Sequence, residues 1–105
     1  MTSMKLIHST IAADPVLGEI VALFVQEMPD RIETLLARAE ANDWDAVGRT
    51  AHQLKGALGS HGFGQLTPIA KQLESSVREG LPEEEVREAL DELVTICGRL
   101  RPGTP

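Results

Sequence analysis

Four series of apolar residues recur along the chain at intervals of three and four, the spacing that lines up side chains on one face of an α-helix. In the first, Leu17, Val21, Phe24, Met28, Ile32, Leu35 and Ala39 keep one phase straight across Pro29. A proline that ended the helix would leave no reason for the phase to survive it. The pattern therefore predicts one long helix over about 15 to 41, kinked near Pro29. Asp30 and Glu33 also form a capping-box pattern, so two shorter helices are the competing reading. Asp14-Pro15 opens this segment as N-cap and first helical position. Trp44, Val47, Ala51, Leu54 and Leu58 predict a second helix over about 44 to 60, capped by Asp43. Leu66, Ile69, Ala70, Leu73 and Val77 predict a third, starting between Gly64 and Pro68 and stopping at Gly80. Pro82 opens the fourth, with Glu83, Glu84 and Glu85 at the positive end of its dipole and Arg99 and Arg101 at the negative end. Its apolar seam is Val86, Leu90, Leu93, Cys97 and Leu100.

No strand pattern competes. The expected fold is all-α, an antiparallel up-down-up-down four-helix bundle over residues 14–101, with neighbouring helices roughly 20° from antiparallel. Residues 1–13 show no clear period and read as a short helical segment or an N-terminal arm; residues 102–105 read as a frayed tail.

Composition narrows the functional classes. A chain of 105 residues makes one domain. The net charge of −6, with no basic face, argues against nucleic-acid binding. Cys97 is the only cysteine, which excludes an intrachain disulfide and, from its place on the apolar seam, predicts a buried inert thiol. No cysteine or paired-histidine spacing suggests a zinc site. Without a long apolar run or a cleavable leader, the expectation is a cytoplasmic protein that does not enter membranes. The three aromatic residues are Phe24, Trp44 and Phe63, and the last two are placed to plug the bundle ends.

Candidate chemistry lies on the second helix. At about 100° per residue, His52 stands roughly 130° from the centre of the apolar stripe, Lys55 roughly 70° away and Gly56 nearly opposite it. The histidine therefore faces outward. Gly48, His52, Lys55 and Gly59 share one flank, with Gly56 beside them. An interior helix glycine costs about 1 kcal/mol relative to alanine, and something must offset two of them. Bare backbone around the imidazole lets another surface approach it closely. Because Ser60-His61-Gly62 breaks the helical pattern, the second and third helices should form a hairpin turning near residue 63. Residues equidistant from the turn then adjoin, which sets Glu74 beside His52, Lys71 near Lys55 and Arg78 near Gly48. A carboxylate bonded to one ring nitrogen fixes the tautomer and leaves the other nitrogen as a nucleophile.

These residues resemble the histidine-containing phosphotransfer (HPt) domains of bacterial phosphorelays. The resemblance is carried by Ala51-His52-x-Leu54-Lys55-Gly56-Ala57, by Gly62 with Leu66 four residues on, and by Leu73-Glu74, and it reaches from Phe24 and Pro29 to the closing helix. It implies that His52 is phosphorylated, that Lys55 helps hold or neutralise the phosphoryl group, and that Glu74 hydrogen-bonds the imidazole. Gly48, Gly56, Gly59, Lys71 and Arg78 become candidate contacts to a partner. Glu74 remains open to the plainer reading of a surface carboxylate paired with Lys71 or Arg78, and both of those cations to that of solvated charges. His8 and His61 lie off the motif's face.

The implied function is a phosphoryl carrier between the receiver domains of a hybrid sensor kinase and a response regulator. It is not an ATP-using enzyme, since no Gly-rich nucleotide loop is present. No cofactor or metal is expected on this chain; Mg²⁺ belongs with the receiver, because no carboxylate cluster here suits it. A monomer is expected. Two alternatives stand: the phospho-accepting domain of a chemotaxis-type kinase, and a helical module that docks a receiver without taking phosphate.

Overall fold

Residues 6–101 are described by the computed structural model, and the helices follow from the periodicities above. Among the described residues there are four: α1 (Leu17–Glu40), α2 (Trp44–Ser60), α3 (Thr67–Arg78) and α4 (Glu83–Cys97). The Asp14 carboxylate accepts hydrogen bonds from the backbone N–H groups of Val16 and Leu17, satisfying free donors at the start of α1. The helix then runs without interruption through Pro29. The capping-box reading of Asp30 and Glu33 is thereby ruled out. Asp43 caps α2 by accepting from the N–H of Ala46. A 3-10 turn at Gly64–Leu66 leads into α3, where Pro68 sits in the first turn, the part of a helix that needs no N–H from it. Gly80, at φ +66, follows the end of α3 in the left-handed conformation that terminates many helices.

The core joins all four helices. Val21, Leu35, Val47, Leu58, Leu73 and Leu93 are fully buried in it, and Phe63 closes one end. Helix α1 packs on α2 and α4, α2 on α3, and α3 on α4. The α2–α3 pair sets the geometry of everything that follows. A Cβ built at Gly48 would lie 3.1 Å from Val77 Cγ1, and one built at Gly59 would lie 3.7 Å from Thr67 Oγ1. Residues equidistant from the turn thus meet, and the two helices run alongside each other in opposite directions.

Three expectations need correction. Among the described residues before α1, Ile7–His8 forms a short strand β1, paired in parallel with β2 (Leu100–Arg101), where no strand was expected. Helix α4 stops at Cys97 with Gly98 at its C-cap, and Leu100 is buried as a strand residue instead of a helical one. Leu17, one turn before the first core residue Val21, is 39% exposed. The expected tail at 102–105 and the first five residues lie outside the described region.

Cys97 is buried as expected, and loss of solvation pushes its thiol up to about 12. It stays protonated at neutral pH and is a poor nucleophile. No described helix is long and apolar enough to cross a membrane.

Candidate functional site

Helix phase presents His52 to solvent, and the hairpin register delivers its partner. His52, its side chain 65% exposed, donates from Nδ1 to Glu74 Oε2 at 2.5 Å. The second carboxylate oxygen, Oε1, accepts from Lys55 Nζ at 2.8 Å. Glu74 is the innermost member of this trio, its side chain only 15% exposed. One carboxylate on α3 therefore clamps two consecutive turns of α2.

The electrostatics follow from that geometry. The Lys55 ammonium holds the Glu74 carboxyl below its ordinary value of 4.5, partial desolvation opposes this, and the bond to His52 adds to the lowering. Glu74 is thus ionised at neutral pH and acts only as an acceptor. With the Nδ1 proton committed to it, the ring's lone pair lies on Nε2. A carboxylate beside the ring also stabilises positive charge that develops there when Nε2 bonds to an electrophile.

The clamp's stabilising contribution has a defined pH window. A folded-state pKa below the unfolded one stabilises the fold above the unfolded pKa, and the benefit fades as pH falls through the folded value. The stability gap between the parent and Glu74→Gln should therefore shrink as pH falls below the ordinary carboxyl value of 4.5, as read by thermal melts on either side of it. A gap independent of pH would mean that the carboxylate's charge contributes nothing.

Three glycines differ in their use. Around Gly56 nothing lies within 4 Å of a built Cβ, so its backbone is open to an external surface. Gly48 serves an internal purpose, letting Val77 of α3 come close. Gly59 is in ordinary contact with Thr67. Lys71 is exposed and makes no ion pair among the described residues. Arg78 is exposed too and donates from Nη2 to Ser75 Oγ at 3.2 Å.

Beside the imidazole an open cleft of about 570 Å³ runs between α2 and α3, lined by Asp45, Arg49, Gln53 and Arg78 along with His52 and Glu74. Sequence reasoning passed over Arg49. Its position one turn before His52, off the apolar stripe, is the signal that marks it. His61 proves to be structural: its Nδ1 donates to Ala57 O at 2.7 Å and its ring stacks on Phe24 at 4.2 Å. No group of three or more metal-ligating side chains occurs among the described residues.

A family model described as Hpt domain matches residues 19–101. No curated protein and no solved structure matches the chain.

Proposed function

The chain belongs to the Hpt domain family, whose members are phosphoryl carriers in histidine phosphorelays, and on that premise we propose that His52 accepts a phosphoryl group from a receiver-domain aspartate and passes it to another receiver. The observation that carries this reading is the Glu74 bond to Nδ1, which leaves Nε2 unshared on a ring open to solvent. In the forward step the Nε2 lone pair forms a bond to phosphorus, and the bond from phosphorus to the donor's aspartyl oxygen breaks. The electron pair leaves as the donor's carboxylate. The Nδ1 proton stays in its bond to Glu74, and the charge gained by the ring is met by that carboxylate. The next receiver's aspartate reverses these events.

The donor and acceptor receivers belong to a hybrid sensor kinase and a response regulator. Mg²⁺ is carried by the receiver, which supplies its carboxylate ligands. Docking brings the receiver's active-site loops over Gly56, beside Gly59, where bare helix backbone permits approach. We read the ring of helix contacts as an up-down-up-down bundle with a bend at Pro29, working as a cytoplasmic monomer.

Transfer from acetyl-phosphate-charged receivers of the same genome tests the reading: the chain should gain one acid-labile phosphoryl group within seconds of mixing with its cognate receiver. No uptake from any receiver would sink it. Gly56→Leu should melt at or a few degrees above the parent's temperature, since nothing surrounds the site and a helix former replaces glycine, yet slow transfer by about tenfold or more, because a single misplaced contact at a reacting centre costs on that order. Transfer at the parent rate would show that the receiver does not close over this position.

A further inference from the structure

A phosphoryl group on Nε2 carries close to two negative charges, and the structure raises the question of which cation meets them. Lys55 is already committed: its ammonium is bonded to Glu74 and its side chain is only 26% exposed. The charged groups facing the ring are Asp45, Arg49 and Lys55 from α2 and Glu74 and Arg78 from α3. Of the two carboxylates, Glu74 is committed to Nδ1 and Lys55, and Asp45, one turn before Arg49, makes no ion pair with it among the described residues. Helical side chains lean toward the N-terminus of their helix, so the His52 ring inclines over the turn that holds Gly48 and Arg49. Arg49 has no hydrogen bond or ion pair among the described residues, while Arg78, on the opposite wall, is held only by a 3.2 Å bond to Ser75.

We propose that Arg49, faced across the cleft by Arg78, forms the anion subsite for the phosphoryl oxygens on Nε2, and that Lys55 is a positioning residue acting through Glu74. This inference rests on the phosphotransfer reading above. A guanidinium offers paired donors in the fork that phosphoryl oxygens fit, and a cation at that spot favours the dianion.

The test uses the full chain labelled with phosphoramidate, in which Nε2 displaces ammonia from phosphorus, and follows the phosphohistidine resonance by phosphorus NMR across pH. In Arg49→Gln the midpoint of the phosphoryl group's last ionisation should rise by about half a unit, as expected for losing a nearby cation. Transfer to a receiver should slow by about tenfold, and Arg49→Lys should recover part of both. Lys55→Gln should leave that midpoint in place and instead change the tautomer balance of the unphosphorylated His52 ring, read by nitrogen-15 NMR. An unmoved midpoint in Arg49→Gln overturns the subsite. A midpoint shifted as far by Lys55→Gln overturns the positioning role. A parent chain that takes no label on His52 overturns the phosphotransfer reading itself, and the subsite with it.

Discussion

His52→Gln is expected to melt at the parent temperature and to take up no phosphoryl group from any charged receiver. The two halves of that result have separate physical grounds. The side chain is 65% exposed and lies outside the core, and surface substitutions of this kind stay within about 0.5 kcal/mol. A glutamine amide N–H also keeps a donor for the Glu74 carboxylate, so the clamp on α3 is not left unpaired. What disappears is the nucleophile, because an amide nitrogen has no lone pair available at neutral pH. Neither remaining histidine described here replaces it: His61 is half-buried, stacked on Phe24 and bonded to Ala57 O, and His8 lies in β1. Intact mass before and after brief acid treatment reads the outcome. Acid-labile label persisting on His52→Gln would move the acceptor to another residue.

The His52–Glu74 contact was legible from sequence because it needed only two periods and one break. Two amphipathic stripes fix which way each helix faces, and the Gly62 turn fixes which residues adjoin. The Lys55 bond to Glu74 was not legible. A residue count brought Lys71 to that level, whereas a long flexible side chain reached one turn further along α3 to the nearest carboxylate. At Gly48 sequence cannot show whether an absent side chain leaves room for a partner or for a neighbouring helix; Val77 occupies that room. The strands escaped notice for a different reason. Two residues are too few to carry a period, and Leu100 falls in phase with the α4 seam although the chain has left the helix at Gly98. A buried leucine satisfies both readings.

Those strands belong to a strap that makes Gly62 sensitive to any added side chain. From β1 the chain continues through Ser9, whose Oγ donates to His61 O at 2.6 Å and accepts from the Ile11 N–H at 3.1 Å, while the Thr10 N–H donates to Gly62 O at 2.9 Å. Gly62 lies beneath, at φ +82. A Cβ there would overlap Ser9 Oγ and come within 2.9 Å of Ile11 Cγ1 and 3.0 Å of Ile11 N. Gly62→Ala therefore combines a left-handed backbone cost of about 1–2 kcal/mol with overpacking and loss of the buried Ser9 hydrogen bonds, together about 3–5 kcal/mol. Against a total stability of roughly 5–15 kcal/mol for such a domain, that lowers the melting temperature by about 15 °C or more. The cost should fall by about 1 kcal/mol in a Ser9→Ala background, where the hydroxyl is already gone, and the remainder is backbone strain and the Ile11 contact. Because this turn sets the α2–α3 register, the variant should also loosen the Glu74 clamp and lose phosphoryl uptake at temperatures where the parent still works. A drop of less than about 3 °C would mean that the strap does not lie over the turn.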